Sequence, residues 1–217
     1  MPGSGFPWEQ KTPPNFMIID IPENAEHINI LMSGGADSTL LAYLVSKQTN
    51  LPIILHTLSP SNEVYDRVVV PVFQYLQNRF EKQYHLSDIR KQSFLIRDAA
   101  QYVLSTYPGV VLTGCNKVVT HFTPSVYIRG DTPPIRGDVS TPHHLRPFLH
   151  LDKVEIFRIY QQENILDLLS LTRSCGMPGT SRCGGCYFCM ERAWAADVLG
   201  IIDINNTESQ TISREPS

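Results

Sequence analysis

The sequence predicts an α/β fold built on a doubly wound, mostly parallel sheet, with a small C-terminal subdomain that holds four cysteines. Three observations lead to this prediction. Short apolar runs alternate with helical segments between residues 28 and 114, which is the pattern of β-α-β units. A Ser-Gly-Gly turn joins the first strand to the first helix. The third observation is a cluster of cysteines near the C-terminus, at Cys175, Cys183, Cys186 and Cys189.

The first part of this region is predicted as strand, helix, strand and helix. The apolar run at residues 28–32 predicts a strand, and one helical stripe follows it, made by Leu40, Leu41, Leu44 and Val45. Residues 51–58 suit a buried parallel strand. Apolar residues at helix spacing predict a helix over residues 62–80, which Pro71 must kink or divide.

The next segments continue the alternation until a long proline-rich stretch interrupts it. Residues 82–89 predict a weaker strand, 91–107 an amphipathic helix and 109–114 a buried strand. Residues 120–145 have no clean period, and long loops inside a compact domain are usually lids or binding loops. After them, residues 146–169 predict a short apolar run and then a helix.

These segments suggest four regions along the chain. We expect a flexible arm at 1–15, an α/β domain at 16–170 with a lid at 120–145, a subdomain that contains the four clustered cysteines at 171–202 and a frayed tail at 203–217.

Composition narrows the classes of function. The 217 residues carry a formal net charge of -3, which offers no general attraction to nucleic acid or to an anionic membrane. No apolar run is long enough for a membrane helix, and the first residues do not resemble a signal peptide. We therefore expect a cytoplasmic protein without a membrane or nucleic-acid partner, whose cysteines bind metal or react before they form disulfides. Whether it forms a homodimer is left open.

The turn from Ser33 to Ser38 reads Ser-Gly-Gly-Ala-Asp-Ser and lies between a strand and a helix. Free backbone N–H groups and the positive end of the helix dipole favour a phosphate there, and glycines let the backbone approach it. A purely structural Gly-Gly turn with a polar helix cap is the alternative. The six residues resemble the signature of the PP-loop ATP pyrophosphatases, also described as adenine nucleotide alpha-hydrolase-like. That resemblance implies that Ser33, Gly34, Gly35, Asp37 and Ser38 bind ATP.

The four clustered cysteines follow the spacing C-x7-C-x2-C-x2-C in a glycine-rich segment. Four thiolates in one short turn can close a tetrahedron around Zn²⁺, and zinc is the favoured interpretation. An iron–sulfur cluster also takes four cysteines and is the main rival. Cys115 stands apart from the cluster; we expect a small packing residue there, with a nucleophile as the alternative.

The glycine turn and the cysteine turn together resemble the 7-cyano-7-deazaguanine (preQ0) synthases of queuosine precursor biosynthesis. The resemblance covers roughly residues 28 to 200 and includes "VVLTG" and "RPFLHLDKVEIFRI". It implies ATP, Mg²⁺ and Zn²⁺ as cofactors, and a reaction in which a carboxylate and ammonia form an amide and then a nitrile through adenylated oxygen. It also implies that Thr113 and Gly114 adjoin the ATP and that Asp37 and Lys153 are catalytic. Lys153 could equally be a solvated lysine at a helix start.

The lid contains the tetrapeptide Ile-Arg-Gly-Asp twice. Arg129 and Arg136, with Arg146 at the end of the segment, are candidates to bind the carboxylate of a small acceptor. The alternative is that two turns use similar residues.

Two other functions remain open from the sequence. One is another PP-loop enzyme with a different acceptor, such as a tRNA thiolase or an amidotransferase-like enzyme; the net charge of -3 is unhelpful for binding tRNA. The other is a non-catalytic nucleotide-binding zinc protein.

Overall fold

The computed structural model describes residues 17–57, 62–89, 96–119, 141–175 and 182–203. The predicted N-terminal arm, nearly all of the predicted lid and the predicted tail beyond residue 203 lie outside these ranges. Within them, the chain forms a five-stranded sheet with helices on both faces. The predicted fold class is confirmed.

The sheet is parallel throughout, with the strand order β3-β2-β1-β4-β5. Its strands, given in chain order, are β1 Ile28–Met32, β2 Ile53–Thr57, β3 Tyr84–Asp88, β4 Val110–Thr113 and β5 His144–Leu145. The central strands β1 and β4 are buried along their whole length, which explains their continuous apolar sequence. The chain adds strands on one side of β1 and then crosses to the other side. The carboxyl ends of β1 and β4 therefore mark the topological switch point, where open α/β sheets bind ligands.

Helices cover both faces of this sheet. Their bounds are α1 Ala36–Gln48, α2 Asn62–Val64, α3 Val70–Arg79, α4 Ile96–Thr106, α5 Lys153–Gln162, α6 Leu166–Ser170 and α7 Tyr187–Leu199. The larger apolar core contains side chains of α1, α3, α5, α6 and α7, whereas α4 packs on a smaller core with Leu31 and Val111. Ala195 and Ala196 of α7 belong to the larger core, so the helix that follows the cysteine turn is packed into the main domain.

Three local features refine the sequence-based picture. The predicted helix over 62–80 is divided by a π-helical turn, Tyr65–Val69, and Pro71 lies in the first turn of α3, directly after that turn. The predicted lid ends in the short strand β5, which the sequence pattern does not predict. The helix predicted after Arg146 is interrupted at Asn164, whose φ of 54° ends α5 before α6 begins.

The start of α5 is fixed by a capping box. The Asp152 side chain accepts a hydrogen bond from the backbone N–H of Glu155, whose carboxylate accepts one from the backbone N–H of Asp152. These bonds satisfy N–H groups at the helix start and hold Lys153 at its first position. None of the helices in the described ranges is both long and apolar enough to cross a membrane.

The turn before β4 depends on Gly109. Its φ is 104°, and a Cβ atom there would lie 2.3 Å from the carbonyl oxygen of His27. Gly200 also has a positive φ, of 62°, but a Cβ atom there would meet nothing within 4 Å.

We therefore predict that Gly109→Ala lowers the free energy of unfolding far more than Gly200→Ala. Strain from the positive φ costs about 1 kcal/mol in both variants, whereas the collision with His27 adds at least roughly 2 kcal/mol in the first. Urea unfolding followed by circular dichroism measures the difference. Equal losses in the two variants would contradict the close approach of these two backbone segments.

Candidate active site and four-cysteine centre

The predicted phosphate loop lies at the carboxyl end of β1, where it begins α1. Gly34 has a φ of 78°, and a Cβ atom there would lie 2.9 Å from Cγ1 of Val68. Its carbonyl oxygen accepts a hydrogen bond of 2.9 Å from the backbone N–H of Arg173. The first glycine of the turn is therefore required both by backbone conformation and by space.

The side chains of the two serines in the turn, Ser33 and Ser38, are hydrogen-bonded to each other. Their Oγ atoms are 3.1 Å apart, the Ser38 hydroxyl donates to the Gly35 carbonyl at 3.2 Å, and the Gly35 N–H donates to Ser33 Oγ at 3.2 Å. The first backbone bond of α1 runs from the Thr39 N–H to the Gly35 carbonyl. The N–H groups of residues 36–38 have no intrahelical partner, because they precede this bond. A closed loop with amides at a helix N-terminus can bind an anion.

Asp37 and Lys153 form an ion pair beside this loop. The Lys153 Nζ donates to both carboxylate oxygens of Asp37 at 2.6 Å. The Lys153 side chain is only 2% exposed, whereas that of Asp37 is 19% exposed. The solvated alternative for Lys153 is thus wrong: the capping box of α5 directs this lysine into the protein, toward the start of α1.

A second carboxylate, that of Glu191, also lies close to the Lys153 ammonium. Oε2 of Glu191, on α7, is 3.4 Å from the Lys153 Nζ, and the Glu191 side chain is 1% exposed. Its Oε1 accepts hydrogen bonds from Asn116 Nδ2 at 3.2 Å and from the Tyr187 hydroxyl at 3.3 Å. Neither Glu191 nor Asn116 is among the site residues predicted from the sequence. One signal was present, because Glu191 and Arg192 are adjacent charges in a largely apolar helix.

Gly114 packs directly against the loop. A Cβ atom at this position would lie 2.7 Å from the backbone carbon of Asp37 and 2.7 Å from the backbone nitrogen of Ser38. Only glycine lets the segment after β4 approach α1 this closely. Thr113, the preceding predicted site residue, is buried, and its hydroxyl lies 3.1 Å from Nε2 of His144.

Two buried histidines lie near the carboxyl ends of the strands. Nε2 of His56, on β2, is 2.9 Å from Oδ1 of Asn29, and His144 pairs with Thr113 as described. Burial, assisted by the charge of His85, lowers the pKa of His56 from 6.5 to about 4. Burial, assisted by the charge of Arg146, lowers the pKa of His144 to about 4 as well. Both rings are therefore neutral at pH 7.

The four cysteines predicted to bind metal come together. Their Sγ atoms all lie within 4.8 Å of one another. Thiolates around one tetrahedral zinc ion are roughly 3.8 Å apart, the edge set by Zn–S bonds of about 2.3 Å. In a four-iron cluster each thiolate binds a different iron, which spreads the sulfurs further. The spacing therefore fits a single ion better than a cluster.

A buried arginine fixes the segments on either side of the cysteine turn. Arg192, fully buried on α7, donates to both carboxylate oxygens of Asp203 at 2.7 and 3.0 Å, to Thr172 Oγ1 at 2.5 Å and to the Leu169 carbonyl at 3.0 Å. Burial alone would raise the pKa of Asp203, but the pairing with Arg192 and the charge of Arg182 lower it below its usual value.

The structure describes one of the three predicted acceptor-binding arginines. Arg129 and Arg136 lie outside the described residues. Arg146 directly follows β5, so it stands at the same edge of the sheet as the loop, two strands from β1. Strand spacing places it roughly 10 Å from the end of β1. Cys115 is half-buried and does not belong to the four-cysteine group.

Comparisons with known proteins give only distant likenesses. No family model matches the chain, and no curated protein matches it. Among solved structures, it is similar to the U34-tRNA thiolase NcsA from Methanococcus maripaludis with its 4Fe-4S cluster, at 13% identity and a TM-score of 0.44, covering 83% of this chain and 66% of that one.

Two further structures are similar at the same level. One is NMN synthetase from Francisella tularensis, at 20% identity and a TM-score of 0.43, covering 83% of this chain and 75% of that one. The other is NH3-dependent NAD synthetase from Campylobacter jejuni, at 18% identity and a TM-score of 0.42, covering 67% of each chain. With TM-scores of 0.44 or less, none of these likenesses assigns an activity to this chain.

The two histidines predict a pH dependence of stability. In the unfolded chain each ring takes a proton near pH 6.5, whereas in the folded chain it does so near pH 4. Between these pH values the unfolded state binds more protons than the folded state. The free energy of unfolding therefore decreases as the pH falls from 6.5 to 4, and the contribution of the two rings to stability is complete above pH 6.5. The loss is up to roughly 3 kcal/mol for each ring.

Urea titrations at half-unit pH steps would measure this loss. His56→Gln and His144→Gln should each flatten the dependence across this window, compared with the wild type. Variants with the wild-type slope would show that these rings do not titrate differently in the two states.

Proposed function

We propose that this chain is an ATP-dependent ligase that adenylates a carboxylate or amide oxygen of a small acceptor. The observation that carries the proposal is the arrangement at the start of α1. Backbone amides of residues 36–38 that lack an intrahelical partner, a closed serine-glycine loop and the Lys153–Asp37 ion pair stand together at the switch point of a parallel sheet. That arrangement suits a pyrophosphate leaving group, because it offers backbone donors and a helix dipole to one anion, and Lys153 adds a positive charge there once a cation binds Asp37.

The chain's own residues can be assigned roles in this reaction. The loop would hold the β- and γ-phosphates, with Gly114 keeping the neighbouring segment close. Lys153 would neutralise charge that develops on the bridging oxygen as pyrophosphate leaves. Asp37 is a partly exposed carboxylate beside the loop, which fits a Mg²⁺ ligand. When bound, Mg²⁺ would offset phosphate charge.

The proposed acceptor is 7-carboxy-7-deazaguanine, with ammonia as the second substrate and 7-cyano-7-deazaguanine as the product. The carboxylate oxygen attacks the α-phosphorus of ATP and releases pyrophosphate; ammonia then displaces AMP and gives the amide. A second ATP adenylates the amide oxygen, and loss of AMP with the amide protons gives the nitrile. The resemblance of the two motifs to the 7-cyano-7-deazaguanine synthases supports this choice.

Arginine side chains are proposed to bind the acceptor. Arg146 stands at the correct edge of the sheet, and a guanidinium pairs with a carboxylate through two hydrogen bonds. Arg129 and Arg136 are proposed for the same role from the sequence alone.

We predict that α-labelled ATP, 7-carboxy-7-deazaguanine and ammonia give AMP and pyrophosphate, with little AMP when the acceptor is omitted. Asp37→Asn should lower turnover by roughly 10- to 100-fold, because an amide holds Mg²⁺ poorly. Chromatographic separation of the labelled nucleotides measures AMP release by the wild type and by the Asp37→Asn variant. Release of ADP would reject the adenylation chemistry, and ATP binding without AMP would reject this acceptor.

The four cysteines are proposed to bind one zinc ion, in a structural role. Their mutual spacing supports a single ion, and a closed set of four thiolates leaves no open position for catalysis. The same spacing does not favour the iron–sulfur reading that would accompany a thiolase.

We predict about one zinc per chain and no visible absorbance in the purified protein. Cys186→Ser should lose the metal and lower the melting temperature, since binding energy contributes to folding there. Cys115→Ser is the matched control and should keep its zinc. Elemental analysis decides the question; a brown protein containing iron and sulfide would overturn the zinc proposal.

A further inference from the structure

Glu191 is an unusual group for the interior of this protein. Its side chain is 1% exposed, so its charge has been removed from water, which is costly unless the charge is paired. The amide of Asn116 and the hydroxyl of Tyr187 both donate to Oε1. The other oxygen, Oε2, faces Lys153 at 3.4 Å. The donors to Oε1 thus orient the carboxylate, and Lys153 supplies the opposite charge.

Lys153 therefore stands between two carboxylates that differ in their surroundings. Asp37 is 19% exposed and lies in the first turn of α1, at the open edge of the loop. Glu191 is enclosed and is held by two further side chains. One ammonium and two carboxylates together carry an excess negative charge. A cation that enters the site can therefore bind Asp37, and Lys153 then remains paired with Glu191.

We propose that Glu191 is a positioning residue that serves as the permanent counter-charge of Lys153. It keeps the ammonium at the loop when Asp37 turns from Lys153 toward an incoming cation. This role rests on the proposed function, because it concerns the same loop and the same lysine. The pairing itself does not depend on the reaction.

The pairing is tested by a double-mutant cycle on thermal unfolding of the full chain. Lys153→Met should lower the melting temperature, because it leaves the buried Glu191 charge without a partner. Adding Glu191→Gln to that variant should recover part of the loss, although Glu191→Gln alone destabilises the wild type. If the loss of melting temperature in the double variant equals the sum of the losses in the two single variants, the pairing is overturned. If Lys153→Met is not recovered folded, recovery of the double variant supports the pairing, and failure of both overturns it.

The positioning role is tested by the kinetics of AMP release. Glu191→Gln keeps the shape of the side chain and removes its charge. It should lower kcat by roughly 10- to 100-fold and leave the KM for ATP within about threefold, since the loop still binds the phosphates. The matched control is Glu163→Gln, which removes the charge from a partly buried pair with Lys47, in the last turn of α1, and should leave kcat unchanged.

The outcomes separate the two proposals. A folded Glu191→Gln variant with wild-type kcat would overturn the positioning role. A wild-type protein that releases no AMP would reject the proposed function, and the double-mutant cycle would still decide whether Glu191 balances Lys153.

Discussion

The ion pair between Asp37 and Lys153 is the contact on which the organisation of the site depends. It joins the first turn of α1 to the first residue of α5, two helices that are far apart in the chain. Both helices direct the positive ends of their dipoles toward this point, and a nearby carboxylate offsets part of that charge. The buried hydroxyl of Tyr160 donates to the Ala36 carbonyl at 2.7 Å and adds a second link between the same helices. The position of the lysine is therefore set by packing of whole helices.

The four-cysteine turn is connected to this site by two routes. Residues 172–175 enter the turn, and there the Arg173 N–H bonds to the Gly34 carbonyl. Helix α7 leaves the turn, and there Glu191 reaches Lys153. Arg192 ties the same helix to the end of α6 and to Asp203. A metal ion that orders the turn would therefore help to fix the positions of the loop backbone and of the Lys153 ammonium. A structural ion would in this way affect the geometry of the site.

Local sequence patterns were enough to predict most of the fold. The strand Ile28–Met32 was located correctly because it is a short apolar run that ends in a glycine turn, and the helix after it because its leucines have helical spacing. The four-cysteine group was also predictable, since its members lie within one short segment. The two-residue strand β5 was missed because pairing with β4, and not its own sequence, makes it a strand.

The wider surroundings of the site could not be predicted in the same way. Glu191 meets Lys153 only after α5 and α7 pack together, and Asn116 joins them from a third segment. Gly114 appeared as part of a motif, but the reason for a glycine there is its contact with the backbone of α1. The choice between a solvated and a buried Lys153 also required the tertiary structure. These features depend on contacts between distant residues, which periodicity and spacing do not encode.

Every role assigned to this site requires that the start of α1 binds pyrophosphate. Titration of isotope-labelled protein with inorganic pyrophosphate, followed by amide nitrogen–proton NMR, measures this binding residue by residue. We expect the largest shifts at the backbone amides of residues 34–38, and we expect Lys153→Met to weaken binding without moving the site. Largest shifts elsewhere in the chain, or none at saturating pyrophosphate, would contradict it.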